Sequence, residues 1–251
     1  MFIVWVIRLA AIGVLVGLWQ GASAFGWADP SLLPPVEVIA PAIMRLLGDP
    51  EFHREVATTS SRVALAFLIG APLAIALGVA AGESEKVRRY VNPAIYFGIS
   101  VPQSIFLPLF ILLLGIGMTQ KVVFGITHVI FIGMLTAMTG VMAIPASIGL
   151  LARSLGASRR QTFLKFYLPA MLPHLITGLR IGLVFDIIGV LLAEMYASRD
   201  GLGILIFSWS ENFKTGEMMA AILLVSCSTI FVNESLRVLE HRLGRWRLTT
   251  A

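Results

Sequence analysis

The stretch SLGASRRQTFLKFYLP, Ser154 to Pro169, lies between two long apolar segments and decides how the rest of the chain is read. Upstream, Pro145 suits the first turn of a helix, and ASIGLLARSL, residues 146–155, reads as that helix. Gly156 sits where a helix ends in a left-handed residue. Ser158, with Gln161 three positions on, forms a capping box that starts a second helix. Phe163, Phe166 and Tyr167 follow at helical spacing and share one face, whereas Arg159, Arg160 and Lys165 point elsewhere. Pro169 is expected to end the second helix and Pro173 to open the next apolar segment. The result is a helix–turn–helix too short to cross a bilayer. A basic amphipathic helix commonly rests on lipid headgroups. Two capped segments meeting at a glycine instead suit a knob that inserts into another protein.

The surroundings of this unit are apolar throughout. Of the 251 residues, 57% are hydrophobic and 13% charged, and the mean hydropathy is +0.88. Ordinary globular usage is about 25% charged, so the natural solvent of this chain is a bilayer. The single cysteine, Cys227, lies in an apolar stretch, which excludes an intrachain disulfide and offers no metal cluster. It reads as a small buried residue.

A spanning helix needs about 20 mostly apolar residues. Six segments qualify: 9–27, 60–81, 91–117, 121–143, 174–196 and 217–236. The first resembles a signal peptide at Ala22-Ser23-Ala24, but only Arg8 charges its start, so it reads as a retained span flanked by Trp19 and Trp27. The chain therefore divides into an N-terminal transmembrane helix (1–30), an amphipathic segment on the outer surface (31–59), a core (60–236) containing the loop 144–173, and a basic tail (237–251). In the amphipathic segment, PVEVIAPAIMRLL (35–47) opens on proline and carries a kink-prone Pro41. The third span contains Pro93, Pro102 and Pro108 and is expected to be bent or broken. Broken helix at membrane depth is tolerated where it is packed in protein or lines a watery path.

Orientation follows from the placement of Lys and Arg. The connections on one side hold 11: Lys86, Arg88, Arg89, Arg153, Arg159, Arg160, Lys165, Arg237, Arg242, Arg245 and Arg247. The other side holds 5: Arg45, Arg54, Lys121, Arg199 and Lys214. The positive-inside rule then places both termini and the loop 144–173 in the cytoplasm.

Ionisable groups inside spans are costly and often functional. Asp186 lies midway along the fifth span and Glu194 about two turns further out. His128 lies in the fourth span, about 10 Å inward from Lys121 at 1.5 Å per residue. Asp186 and His128 fall at depths that permit contact. Each reads either as a polar lining of a path or as an interhelical hydrogen bond. With Pro102 and Gln103 of the broken span, these three are the candidates for a translocation path. Arg62 and Arg180, near span ends, are expected to snorkel to water. No Gly-x-x-x-x-Gly-Lys-Ser/Thr phosphate loop is present, so a fused ATP-hydrolysing motor is excluded.

The knob resembles the cytoplasmic loop of ABC importer permeases, whose signature runs Glu-Ala-Ala, three residues, Gly, nine residues, Ile-x-Leu-Pro. The matching positions are Leu150-Leu151-Ala152, Gly156, Phe166 and Leu168-Pro169; the spacing is kept, while Leu150, Leu151 and Phe166 depart from it. LLPPVEVI, SVPQSIFLPLFILLLGIG, RSLGASRRQTF, LPAMLPHLITGLRIGL, LLAEM and GLGILI resemble the nitrate, sulfonate and taurine branch, covering residues 31–247. The resemblance implies an all-α integral membrane protein with the type I importer permease fold, multi-pass in the bacterial inner membrane. It also implies partners: a second permease copy, two ABC ATPase subunits that bind ATP and Mg, and a soluble or lipid-anchored binding protein that delivers a small solute. No cofactor on this chain, no nucleic acid and no enzymatic activity are implied. The loop becomes the coupling helix, with Leu150, Leu151, Ala152, Arg153, Leu155, Gly156, Ala157, Ser158, Arg159 and Arg160 as the ATPase-docking candidates. Leu150 cannot make the ion pair of the signature glutamate, so docking here is expected to rest on apolar contact and the basic residues. Two other classes compete. A self-sufficient secondary transporter or channel would use Asp186, Glu194 and His128. A membrane enzyme would need Ser208 or Ser210 with His128 or His174, and no Gly-x-Ser-x-Gly supports it.

Overall fold

The structure, a computed structural model, describes residues 2–27, 29 and 31–244. Among these the regular structure is entirely helical: α1 Phe2–Ala24, α2 Val36–Leu47, α3 Pro50–Glu83, α4 Glu85–Ser100, a 3₁₀ turn Gln103–Phe106, α5 Leu107–Leu114, α6 Met118–Met142, α7 Ala146–Ser154, α8 Arg159–Thr162, a π-turn Phe163–Tyr167, α9 Leu168–Ala197, α10 Leu202–Glu211 and α11 Thr215–Gly244. Four stretches are long and apolar enough to span: α3, α6, the continuous run Arg159–Ala197, and Thr215–Val238. The bent pair of α4 with Gln103–Leu114 is together long and apolar enough, and makes a fifth if the pair is one span.

Local chemistry explains where these elements begin, and it moves several sequence boundaries. Asp49 accepts a hydrogen bond from the Glu51 amide at 2.9 Å, and Pro50 occupies the first helical turn. Helix α3 therefore starts at residue 50. The proposed division at 59/60 is not a structural one: only α2 forms the separate amphipathic helix, and residues 50–59 are the first turns of a span. The segment 91–117, expected as the third span, bends by 91° between α4 and the 3₁₀ turn. Of its three prolines, Pro93 is carried inside α4 and Pro108 sits in the first turn of α5, so the break falls at Pro102. Val101 before it is extended, at φ −87° and ψ 127°, as the clash with a following proline ring demands.

Pro169 does not end a helix, contrary to the sequence reading. The amide of Leu168 reaches back five residues to the Phe163 carbonyl, which makes the π-turn. This register shift lets the helix pass through Pro169 and Pro173 into α9. At the C-terminus α11 continues to Gly244; the expected basic residues Arg245 and Arg247 lie outside the described residues.

The centre of the fold is a seam of small residues. Along α3 and α6, Ala66 lies near Gly125, Gly70 near Val129, Ala74 near Gly133, Gly78 near Ala137, and Gly82 near Val141. The constant offset means that the two helices run parallel. A side chain at Gly78 would place its Cβ 2.5 Å from the Met134 carbonyl oxygen, and one at Gly133 would meet Ala74 Cβ at 2.6 Å. This close approach is the packing that apolar solvent favours, because backbone contact replaces hydrophobic drive. Helix α9 returns antiparallel against α6, with Gly178 against Thr136 and Gly182 against Val129. The unit α7–α8 connects α6 to α9 at one end of this three-helix core. The turn Ser198–Gly201 connects α9 to α10 at the other. Helix α2 buries Ile39, Ala42 and Leu46 with Ala220 and Ala221 of α11. Helix α1 is tied to the start of α2: Gln20 Oε1 accepts from the Val36 amide at 3.1 Å, and Trp19 donates to the Pro34 carbonyl.

Candidate functional site

The knob forms as its caps dictate. At the end of α7 the Ala157 amide donates to the Ala152 carbonyl and the Gly156 amide to the Arg153 carbonyl, both at 3.0 Å, the paired bonds of a Schellman turn. Gly156 has φ +67°, with nothing within 4 Å of where a Cβ would stand. Its glycine requirement is therefore backbone strain, not crowding. Ser158 Oγ accepts from the Gln161 amide at 3.3 Å, and Gln161 Oε1 accepts from the Ser158 amide at 2.9 Å, completing the capping box. Phe163, Phe166 and Tyr167 are all half-buried while Leu164 and Lys165 are exposed, so the aromatic face turns inward. Tyr167 Oη rests over Gly149, where a Cβ would come within 2.9 Å.

Outward, the knob shows leucine. Leu150, Leu151 and Leu155 are 61%, 52% and 66% exposed. Arg153, Arg159, Arg160 and Lys165 are exposed and enter no ion pair among the described residues. Ala152 corrects the sequence reading: it is fully buried inside the unit, so it fills the knob and offers no docking surface.

The path candidates separate into three places. At the break, Gln103 Nε2 donates to the Gly98 carbonyl at 3.2 Å and Gln103 Oε1 accepts from Thr127 at 2.9 Å, fastening Pro102 and the 3₁₀ turn to α6. Phe97, Phe106, Phe110 and Phe131 help line a cleft of about 180 Å³ there. Mid-core, Asp186 is fully buried and neither carboxyl oxygen has a hydrogen-bond partner. His128 Nδ1 lies 2.9 Å from the Phe124 carbonyl. The two do not bond to each other; each occupies the space left by a glycine on the facing helix, Asp186 at Gly125 and His128 at Gly189.

Glu194 belongs to a third place, which the sequence reading did not assemble. At the end of the core opposite the knob, Arg62 Nη1 donates to Glu194 Oε1 at 2.6 Å and to the Asp200 carbonyl at 3.0 Å. Its Nη2 donates to the Asp200 carboxylate. Three successive amides at the start of α10 are received by side chains: Gly201 by Glu55, Leu202 by Thr59 Oγ1 at 2.8 Å, and Gly203 by Glu194 Oε2 at 2.9 Å. Thr59 in turn donates to Glu194 Oε2 at 2.8 Å. Lys121 Nζ donates to the Ala197 carbonyl at 2.7 Å and to that of Gly117 at 3.1 Å. The free amides of a helix N-terminus attract negative charge, and here α3 and α9 supply it. Gly201 has φ +102°, and a Cβ on it would collide with the Glu194 carboxylate.

Two expectations change accordingly. Arg62 does not snorkel to water: its side chain is 7% exposed and held by two carboxylates. Glu194 has no exposed surface, so it faces this cluster and not an open path. Arg62 also holds the Asp200 carboxyl below the usual carboxylate range through its hydrogen bond. At the knob end, Arg180 lies 3.8 Å from Glu240, which accepts from Thr177 at 2.6 Å, tying α9 to α11.

Comparison with known proteins places this architecture. The profile described as "Binding-protein-dependent transport system inner membrane component" matches residues 70–246. Among curated proteins, the chain is 27% identical over 243 residues to the putative aliphatic sulfonates transport permease protein SsuC of Bacillus subtilis (strain 168), covering 97% of this chain and 88% of that one. It is 29% identical over 245 residues to the taurine transport system permease protein TauC of Escherichia coli (strain K12), covering 96% and 89%. Among solved structures, a chain of the inward-facing MetNI methionine ABC transporter superposes with a TM-score of 0.62 at 18% identity, covering 84% of this chain and 98% of that chain. That likeness extends the shared fold over nearly the whole of the solved chain.

Proposed function

The chain belongs to the family of binding-protein-dependent transport system inner membrane components, and from that premise we propose that it forms the translocation path of an ATP-driven importer and is coupled to a separate ATPase through the loop 144–173. The family is one of multi-pass inner-membrane transport components without catalytic activity, with ATP hydrolysis on another subunit. In our reading two copies enclose the path, two ATPases sit beneath them with bound ATP and Mg, and a binding protein delivers a small solute from outside. Six spans run with both termini in the cytoplasm. Helix α1, 23 residues long or about 35 Å at the helical rise, is the first, and the broken pair α4–α5 is the third. Relatives named for sulfonates, taurine and formylaminopyrimidine span several solute classes, so the binding protein carries the choice of solute in this assignment.

One observation carries the coupling role: three exposed leucines on a doubly capped, glycine-turned unit whose aromatic side is half-buried. Apolar residues exposed along the spans face lipid, but the knob lies outside them, where an exposed apolar patch fits a protein partner. The ion-coupled alternative receives no such support, because Glu194 is fully committed to Arg62, Thr59 and Gly203. The test is a cross-link. In a Cys227→Ser background, Leu151→Cys and Leu155→Cys are expected to cross-link to the copurifying ATPase, and Ala152→Cys is not. Failure of both leucine positions with the ATPase present would remove the knob from the interface.

A further inference from the structure

The polar cluster opposite the knob does more than close off a helix end. Helix α10 is held in two different ways along its length. Its first residues, Leu202 and Gly203, are buried and fixed by directional bonds to Glu55, Thr59 and Glu194. Beyond them α10 rests on apolar side chains and borders open apolar clefts. A volume of about 480 Å³ lies between α9, α10 and α11, lined in part by Met195, Ile206 and Ile222. A second of about 420 Å³ lies between α3, α9 and α11 and reaches Leu202. Apolar contact is non-directional, so the packing of Leu205, Ile206 and Trp209 against the α2–α11 cluster does not by itself set the register of α10. What fixes its position is the set of bonds at its N-terminus.

That set is asymmetric in its access to water. Arg62, Glu55 and Glu194 have side chains 7%, 8% and 0% exposed, whereas the Asp200 side chain is 56% exposed. Arg54, 72% exposed, caps Glu55 from outside on the α3 side, so on the side of the turn Asp200 is the charged arm that solvent, or a protein docking there, reaches directly. We propose that the turn 197–203 and α3 form a clasp that opens in the transport cycle, with Glu55, Thr59 and Arg62 as its fixed half and Asp200 as its releasable arm. Arg62 is then a positioning residue for α10. The proposal rests on the chain being a transport subunit, and it adds a moving part that the coupling assignment does not contain.

The test is to lock the clasp. Thr59 and Leu202 adjoin across it, with Thr59 Oγ1 2.8 Å from the Leu202 amide. Thr59→Cys/Leu202→Cys in a Cys227→Ser background, assembled with its ATPase and binding protein, is expected to form a disulfide on oxidation. Transport should fall at least tenfold when oxidised and return on reduction, with the ATPase still bound. Wild-type transport in the fully oxidised protein would overturn the proposal, since the clasp would then be a static brace. Because Thr59 is itself part of the clasp, a milder variant supplies an independent reading. Asp200→Asn is expected to raise hydrogen exchange at the amides of 201–203 at least severalfold in the assembled complex. Unchanged exchange there would count equally against a releasable arm. Both the disulfide yield and the exchange report on the clasp whether or not the coupling assignment stands.

Discussion

The knob and the clasp sit at opposite ends of the same three helices and are built on opposite principles. The knob is local: its bonds join residues three to five apart, and its product is an exposed apolar surface. The clasp is long-range: Arg62 and Glu194 are 132 residues apart and Glu55 and Gly201 are 146 apart, and its product is a bonded polar cluster with a buried centre and Asp200 at its exposed edge. The difference shows where each carries its energy. Removing one bond from the knob loosens a turn that solvent can repair. Removing one charge from the clasp strands its partner in a dry interior.

Mutation should expose that contrast. Arg62→Ala leaves Glu194 buried without its cation, and breaking a buried pair typically costs about 3–5 kcal/mol. Folded yield in detergent should collapse. Arg62→Met with Glu194→Gln removes both charges and should recover much of the loss; a double variant no better than Arg62→Ala would mean that the hydrogen-bond geometry, not the charge pairing, holds the clasp. Ser158→Ala in the knob removes a single cap, worth about 1 kcal/mol. It should leave yield unchanged and raise amide exchange only around Gln161.

The smallest effect is one of pH. Asp200 is depressed in the folded protein by Arg62. A carboxylate of this kind contributes stability that is complete above its unfolded value, near about 4, and is lost as pH falls through the lower folded value. The apparent melting temperature of the wild type should therefore drop below about pH 4, and Asp200→Asn should drop less. The exposure of Asp200 keeps the difference small. Equal acid sensitivity in both proteins would mean that other carboxylates carry the transition.

The same contrast governs what could be read in the sequence. Gly156 and the Ser158–Gln161 box were legible because a cap is a pattern of neighbours. The break in the third span was legible from its prolines, although choosing Pro102 among three required the extended Val101 to be seen. The clasp was not legible as a unit. Arg62 and Glu194 each stood out as ionisable groups in apolar segments, but nothing local joins residues in different helices. Glu55, Thr59 and Asp200 look in sequence like ordinary surface polar residues, and Lys121 entered only the charge count and the depth of His128, so none of the four pointed to the cluster. The passage of α9 through Pro169 was missed for a related reason. A π-turn absorbs the proline's missing amide by a register change that residue preference does not encode.

The central claim, that the knob couples this chain to an ATPase, is tested most directly by the amount of ATPase that stays with it. Because Gly156 is surrounded by open space and constrained only by φ, substitution there changes backbone geometry without a steric clash. Gly156→Asn, which tolerates the left-handed region, should retain the ATPase-to-permease ratio of the wild type after affinity isolation from membranes. Gly156→Val, which does not tolerate it, should insert normally and lose most of the ATPase. A full complement of ATPase on Gly156→Val would contradict the account.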